Sequence, residues 1–382
     1  MAKELSLMII AGETSGDIHG GKLCHQILRM NPGAKLFGMG GSRMAEAGVE
    51  LFHEIGHTGV VGFWEVYKDI GRYRRIFKNL VALLEEKKPD AVVLIDYPGF
   101  NIRFARQAHR RGFRVIYYIS PQVWAWGKRR IKKLERFVDR MVVIFEFEKI
   151  FYRPYRLKVD FVGHPLVDSL TSDLDSDEIR KRFGLEEGPI IGLLPGSRKS
   201  EMQKVLPILI RTAREISKQR PETSFLLPLA SPELRPLAEK ELEAESTPIR
   251  ILEGQVQPVL AVADLAIMAS GTVTLEGAAF STPMIIVYKL SIFSWIIARL
   301  LIKIPYIGLV NVIAGRRIIP EFLQFKARPE QIAREALMIL SRPEIRRTMI
   351  GHLERVREKL GRPGASARAA RAVLNAAGAA KN

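Results

Sequence analysis

Two short segments in the second half of the chain place glycine and small polar residues directly after an apolar run. The first reads Gly196-Ser197-Arg198 and the second Ser270-Gly271-Thr272. A helical pattern follows each, so main-chain N–H groups and the positive end of a helix dipole would point at one spot. The Arg198 guanidinium adds a planar fork that suits phosphate oxygens. Together the segments predict a site that holds a diphosphate without a metal ion.

Each segment could also be an ordinary turn, because glycine turns join strands to helices throughout α/β proteins. Glu276, one turn into the second helix, and Arg198 favour a nucleotide. Further along, Asn311 and Arg316 could line the same site or could lie in a simple connection between helices.

Polar residues also follow two apolar runs in the first half of the chain. The segment after the first run is neither a Walker A loop nor a GxGxxG fingerprint. It would bring a set of polar and small residues to the carboxyl edge of a parallel sheet, where ligands bind in such folds: Gly12, Glu13, Ser15, Gly16, Asp17 and His19. Asp17 could instead cap a helix.

Asp96 follows another buried run and would face the same cleft, with Asn101 shortly after it. Its carboxylate could take a proton from a hydroxyl group. The alternative is that Asp96 only stabilises the turn.

The elements that must position these residues alternate between strand and helix patterns. Continuous apolar runs rich in β-branched residues are typical of parallel strands buried on both faces, and they lie at residues 5–10, 91–95, 115–119, 141–145, 190–194, 224–229, 249–252, 265–268 and 284–288. The pattern predicts two βαβ-type domains, at residues 1–165 and 166–328, followed by helices at 329–382. We expect these helices to pack back on the first domain.

Composition narrows the class of protein. With one cysteine, Cys24, the chain can form no internal disulfide, which fits a reducing compartment. No run of 18 clean apolar residues predicts a transmembrane helix, and the N-terminus shows no signal-peptide pattern. The net charge of +18 is scattered and not interleaved with aromatic residues. We therefore expect an anionic membrane surface and a phosphate-bearing substrate as partners, and no nucleic acid.

The aromatic run from Gly59 to Tyr67, with basic residues after it, suits either the core or a helix lying on anionic lipid. We favour the membrane interpretation, with these contact residues: Val60, Val61, Phe63, Trp64 and Val66. Asp173-Leu174-Asp175 has the form of a metal-binding motif but lies in a polar connector, so we expect no metal and no cofactor.

Several segments, taken together and in order, resemble the lipid-A-disaccharide synthase family: Ala11–Asp17, Gly163–Asp168, Leu194–Arg198, Ser270–Glu276 and Asn311–Gly315. The resemblance implies two Rossmann-like domains facing a cleft, the glycosyltransferase B type. It implies transfer from UDP-2,3-diacylglucosamine to 2,3-diacylglucosamine 1-phosphate, with inversion to a β-1,6 linkage and release of UDP. It also implies a cytoplasmic enzyme, peripheral on the inner membrane, that is a monomer or homodimer.

By this resemblance the second domain holds the donor. Ser197, Arg198 and the Ser270–Thr272 segment would bind the diphosphate, Glu276 the ribose hydroxyls, and Asn311 and Arg316 would line the donor side. Many family members have the sequence Pro-Asp-Phe-Asn at positions 98–101. This chain has Gly99 in place of the Asp of that sequence. The general base stays open among four residues, of which we favour the first: Asp96, Asp17, Glu13 and His19.

Two other functions remain open at this point. One is an enzyme similar to UDP-N-acetylglucosamine 2-epimerase on the same fold. The other is a basic protein that binds anionic lipid or RNA without catalysis.

Overall fold

The computed structural model describes residues 4–55, 70–125, 127, 130–171, 174–185, 187–243, 245–291, 295 and 305–378. The chain divides into two compact units: unit 1 comprises residues 1–168 and 360–382, and unit 2 comprises residues 169–359. The predicted membrane-contact residues between Val60 and Val66 lie outside the described residues. In the part that is described, no helix is long and apolar enough to cross a membrane.

The strands of the described residues are β1 (Ser6–Ala11), β2 (Lys35–Gly40), β3 (Glu50–Glu54), β4 (Ala91–Ile95), β5 (Arg114–Tyr118), β6 (Arg140–Val143), β7 (Val159–Phe161), β8 (Ile190–Leu194), β9 (Ser224–Leu229), β10 (Ile249–Glu253), β11 (Leu265–Ala269), β12 (Met284–Tyr288) and β13 (Glu321–Leu323). Each pair of neighbouring strands is parallel. The sheet of unit 1 has the order β3-β2-β1-β4-β5-β6-β7, and that of unit 2 has the order β10-β9-β8-β11-β12-β13.

The helices are α1 (Thr14–Met30), α2 (Ser42–Glu46), α3 (Ile70–Lys87), α4 (Pro98–Arg110), α5 (Ile131–Phe137), α6 (Glu146–Tyr152), α7 (Ser176–Arg182), α8 (Lys199–Ser217), α9 (Arg235–Leu242), α10 (Val256–Val262), α11 (Val273–Ala279), α12 (Leu309–Ala314), α13 (Pro329–Ser341), α14 (Pro343–Lys359) and α15 (Ala365–Gly378).

Each sheet has one switch point, where the strand order turns back on itself. It lies between β1 and β4 in unit 1 and between β8 and β11 in unit 2. In open parallel sheets the connections on either side of this point leave in opposite directions, so a crevice opens at the carboxyl ends of the two strands. The segments with predicted chemistry follow these four strands directly.

The predicted fold class is confirmed: both units are α/β with parallel sheets. All nine predicted strands are present, with ends within two residues of the predicted ones. In β4, β8 and β11 every residue is buried, which accounts for their continuous apolar sequences. Prediction missed β2, which contains two glycines, the alternating edge strand β3, and the three-residue strands β7 and β13.

The C-terminal helices are shared between the two units. Helix α13 packs on α8, and α14 packs on α11 and α12, so residues 329–359 belong to unit 2. We expected the whole segment to pack on the first domain, but within the described chain only α15 does so, against α1, β5 and β6.

The Gly163–Asp168 segment fastens α15 to unit 1. The Asp168 carboxylate accepts hydrogen bonds from the N–H groups of Gly364, Ala365 and Ser366, at 2.7, 2.9 and 2.8 Å. These donors include the first turn of α15, whose positive end favours a carboxylate and holds the pKa of Asp168 below its usual value despite partial burial.

Candidate functional site

The main chain is strained where it leaves β4. Asp96 and Tyr97 both adopt the left-handed conformation, with φ of 44° and 47°, which costs roughly 1–3 kcal/mol for each non-glycine residue. Two side chains hold the turn, because the Tyr117 hydroxyl and the Asn101 amide both donate to the main-chain oxygen of Asp96, at 2.5 and 2.8 Å. Strain that neighbours must maintain in this way is typical of functional sites.

The pKa of the Asp96 carboxyl group is shifted toward neutral pH. Burial and the nearby Glu13 carboxylate together raise its pKa to about 7, against the opposing effect of the Tyr97 N–H. A carboxylate with a pKa close to the working pH combines a useful ionised fraction with the strength to accept a proton. Of the four base candidates, the structure thus brings Asp96 and Glu13 into electrostatic contact.

Gly12 allows the loops after β1 and β4 to pack against each other. A Cβ atom at this position would lie 2.1 Å from Cδ1 of Tyr97, so only glycine leaves room for the ring. The ring of Tyr97 stacks in turn on Phe100, with 5.8 Å between centroids. Position 12 is therefore a packing position at the switch point of unit 1.

Asp17 makes structural contacts, and its predicted catalytic role stays a prediction. Its buried carboxylate accepts hydrogen bonds from the N–H groups of Gly41, Arg43 and Met44, at 2.7, 3.1 and 3.1 Å. These donors lie at the start of α2, so Asp17 caps that helix from a distance in sequence. A carboxylate so occupied is poorly placed to take a substrate proton.

The side chain of His19 lies beside that of His164, with 6.3 Å between ring centroids. Burial lowers the pKa of His19 to about 4 and that of His164 to about 3, and Lys22 acts in the same direction on both. Both rings are therefore neutral at pH 7. His164 Nδ1 accepts from the N–H of Leu166 at 3.1 Å, whereas His19 Nδ1 is buried without a hydrogen-bond partner among the described residues.

The remaining predicted residues of unit 1 differ in exposure. Ser15 is exposed in the first turn of α1, and Gly16 beside it is buried. Asn101 is fully buried and donates to the main-chain oxygens of Ile95 and Asp96, so it shapes the turn, and its predicted substrate contact stays a prediction. Gly99 is exposed in the first turn of α4.

Sequence reasoning missed Glu148, a buried carboxyl group that lies in the field of Asp96. Burial raises its pKa to about 8. Trp124 Nε1 donates to its Oε1 and the N–H of Phe145 to its Oε2, each at 3.3 Å. Glu148 thus ties the loop after β5 to the start of α6. The only trace in the sequence is an acidic residue within an aromatic segment.

In unit 2 the junction between β8 and α8 has the geometry of an anion site. Gly196 has φ of 107°, and a Cβ there would lie 2.7 Å from Oε2 of Glu201. Helix α8 is 19 residues long, so its N-terminus carries a full dipole. The Arg198 side chain is 69% exposed, and its Nη1 lies 3.1 Å from Oε1 of Glu201. Ser197 is exposed beside it. A ligand can therefore reach both.

The junction after β11 provides a weaker positive field for an anion than the junction after β8. Thr272 is exposed, and the Ser270 hydroxyl donates to the main-chain oxygen of Ile307 at 3.4 Å. Helix α11 has only seven residues, so it adds less dipole than α8. Gly271 leaves open space above the turn in the part of the chain that is described. Half-buried Glu276 has its pKa raised to about 7 by burial.

Tyr288, at the end of β12, interacts electrostatically with residues of the junction between β8 and α8, and nothing in the sequence marked it. Burial raises the pKa of its hydroxyl, Glu201 raises it further, and Arg198 opposes them. The phenol therefore lies within the field of the Arg198–Glu201 pair.

Asn311 makes structural hydrogen bonds, and its predicted place in the donor site stays a prediction. It is fully buried; its amide donates to Ile319 O and Glu321 Oε1, and its oxygen accepts from the N–H groups of Ile318 and Ile319. Glu321 also accepts from the N–H of Gly308, at the start of α12. Polar side chains of this chain thus already occupy the N-terminus of α12.

Arg316 is exposed, and its guanidinium lies 2.9 Å from Nε2 of His352 in α14. The structure thus gives Arg316 a partner on the C-terminal helices. Its predicted contact with the donor stays a prediction.

Known proteins of one family match this chain over nearly its whole length. The sequence model of the family described as lipid-A-disaccharide synthetase matches residues 7–375. The chain is 42% identical to the lipid-A-disaccharide synthase of Syntrophus aciditrophicus over 367 residues, covering 95% of this chain and 96% of that one. It is also 42% identical to that of Geobacter sulfurreducens, covering 97% of each. The chain belongs to the lipid-A-disaccharide synthase family.

Solved structures support the glycosyltransferase B fold of this family member. The chain is similar to a calicheamicin glycosyltransferase, with a TM-score of 0.62, 14% identity and all of both chains covered. It is also similar to the Neisseria meningitidis UDP-GlcNAc 2-epimerase bound to UDP-GlcNAc, with a TM-score of 0.60, 14% identity and 97% and 100% coverage. At such identities the likeness shows the fold alone, so the epimerase alternative is not favoured over the synthase family.

The structural assignment of Asp17 can be separated from that of Asp96 by stability. Asp17→Asn puts an amide where three N–H groups need an acceptor, so we expect it to cost about 2 kcal/mol or more. Folding raises the pKa of Asp96 from 3.8 to about 7, so the native state loses stability as the pH rises above the unfolded value, and the loss is complete above about 7. At pH 8, Asp96→Asn should therefore keep or increase the thermal melting temperature. The reverse order of the two melting temperatures would contradict both assignments.

Proposed function

We propose that this chain is an inverting hexosyltransferase. It joins UDP-2,3-diacylglucosamine to 2,3-diacylglucosamine 1-phosphate and releases UDP and the β-1,6-linked disaccharide 1-phosphate of lipid A synthesis. The observation that carries the proposal is the match of residues 7–375 to the synthase family. The two switch-point sites supply complementary chemistry, a proton acceptor in unit 1 and an anion site in unit 2.

Unit 2 binds the donor in this proposal. The diphosphate lies at the N-terminus of α8, where main-chain N–H groups, Ser197 and Arg198 neutralise charge that grows as UDP leaves. Tyr288 donates a further hydrogen bond, and the Ser270–Thr272 turn contacts the opposite side. Glu276 accepts from the ribose hydroxyls, a role that suits a half-buried carboxylate.

Unit 1 binds the acceptor and removes its proton. Asp96 takes the proton of the 6-hydroxyl group, the oxygen attacks the anomeric carbon, and the bond from that carbon to the UDP oxygen breaks on the opposite face. This inverts the configuration from α to β. Glu13 keeps the pKa of Asp96 high enough for proton transfer near neutral pH.

The enzyme works on the cytoplasmic face of the inner membrane in this proposal, as a peripheral protein. The net charge of +18 suits an anionic surface. The residues from Val60 to Val66 would contact lipid, since acylated substrates must leave the bilayer in part. UDP-sugar is supported as the donor class by structural neighbours solved with UDP ligands.

One incubation tests the reaction. Purified protein is mixed with the UDP-diacylglucosamine donor and the lipid monosaccharide phosphate, with and without a chelator. Mass spectrometry should show disaccharide and UDP in equal amounts, with a yield that the chelator leaves unchanged, because the guanidinium and helix dipole replace a metal. Epimerised donor without disaccharide would favour the epimerase alternative, and release of neither product would favour a binding protein. Loss of activity in chelator that magnesium restores would refute the metal-free donor site.

Arg198→Ala tests the charge on the leaving diphosphate. We expect turnover to fall on the order of 100-fold, the usual cost of losing one preorganised donor, with the melting temperature unchanged because the side chain is exposed. Arg211→Ala is the matched control, since Arg211 is an exposed arginine in the same helix. Equal turnover in the two variants would remove Arg198 from the mechanism.

The pH profile tests the base. The reactive form of Asp96 is ionised, so kcat/KM should rise as the pH increases through about 7. Glu13→Gln removes a repelling charge, so the rising limb of the kcat/KM profile should move to lower pH. It should not reach the ordinary pKa of a carboxyl group, because Asp96 stays buried. Asp96→Asn should lower kcat by about 100-fold or more and abolish the limb. An unmoved limb in Glu13→Gln, or an intact limb in Asp96→Asn, would show that another group titrates.

A further inference from the structure

Phe325 is the most exposed large hydrophobic side chain among the described residues, with 67% of its surface accessible. It lies in the short 3₁₀ turn Gln324–Lys326 that follows β13. An isolated exposed aromatic residue is common on protein surfaces, so the exposure needs a second observation before it has meaning.

The turn that carries Phe325 is built to hold it outward. Gln324 has φ of 50°, a left-handed conformation that is unfavourable for a residue with a side chain. Its buried amide group compensates by bonding both main-chain groups of Leu290: Leu290 N–H donates to Oε1 at 3.0 Å, and Nε2 donates to Leu290 O at 3.2 Å. The buried side chain therefore fixes the main chain so that the next residue faces solvent.

Exposed cations lie close to Phe325 along the chain and at the end of the neighbouring strand. The register pairs Tyr288 with Leu323, which puts Lys289 beside Gln324 at the same end of the sheet. Lys289, Lys326 and Arg328 are all exposed, and in the described part of the chain none of the three forms an ion pair. The nearest acidic residue that follows is Glu330, which lies in the first turn of α13.

We propose that the Phe325 knuckle, defined as Lys289, Phe325, Lys326 and Arg328, is a contact of unit 2 with an anionic lipid surface. The ring enters the boundary between headgroups and acyl chains, and the three cations meet lipid phosphates. A rigid turn lowers the entropy lost when the ring inserts. One aromatic ring among unpaired cations matches a charged lipid surface better than a protein partner, which would require a broad apolar patch.

The contact is tested by flotation of the purified chain with phosphatidylcholine vesicles, with and without phosphatidylglycerol, and with no sugar substrate present. Phe325→Ser should weaken binding to the phosphatidylglycerol vesicles about tenfold, and Phe325→Trp should retain it. Replacing both Lys326 and Arg328 by Gln should weaken the same binding about twentyfold and leave the residual binding to pure phosphatidylcholine unchanged. Met30→Ser, which removes an exposed apolar side chain of unit 1, is the matched control.

Turnover of detergent-dispersed substrates is measured on the same variants and should stay at the wild-type level. This arm separates the contact from the transferase proposal, since a chain without transferase activity can still bind vesicles. Wild-type binding by Phe325→Ser, or an equal loss in Met30→Ser, would overturn the proposal. If Phe325→Ser fails to fold, the double variant with Gln at Lys326 and Arg328 tests the contact instead. It should fold, because exposed cations without ion pairs add little to stability.

Discussion

The chain leaves β4 and β8 through turns with positive φ angles, at Asp96 and Tyr97 after β4 and at Gly196 after β8. Parallel strands buried on both faces bring all their carboxyl ends to one edge, and a crevice opens on that edge at the switch point. Close approach there depends on glycine at positions 12 and 196 and on the two left-handed residues after β4. The proposed chemistry depends on these turns, because they decide which groups face a ligand.

The two units have the same switch-point topology but gather groups of opposite charge there. In unit 1 the switch point gathers carboxyl groups whose burial and mutual repulsion favour the protonated form, as Asp96 shows. In unit 2 it gathers the N-terminus of a long helix, a guanidinium and a phenol around the end of β8. A reaction that removes a proton from one sugar and releases a diphosphate from another needs both. Fold alone would not distinguish this from epimerisation, so the family match carries the substrate assignment.

Residue type and position predicted the fold better than they predicted roles. Continuous apolar runs such as β4 and β11 were recognisable because burial on both faces leaves no polar positions. Asp17 and Asn311 lie in segments that resemble the family, yet the carboxylate of Asp17 accepts from main-chain groups distant in sequence and Asn311 bonds the main chain of the turn that follows its own helix. A polar side chain in a motif can bind a ligand or complete the scaffold, and only its partners in space distinguish the two. Tyr288 shows the converse, since nothing around it in the sequence marks the Arg198 pair as its neighbour.

The most direct test is a crystal structure of the chain with UDP bound. The account predicts the diphosphate at the start of α8, with its oxygens within hydrogen-bond distance of the main chain at Gly196–Arg198 and of the Arg198 guanidinium, and with the ribose hydroxyls at Glu276. A diphosphate bound away from the end of β8, or one held to the protein through a divalent ion, would contradict it.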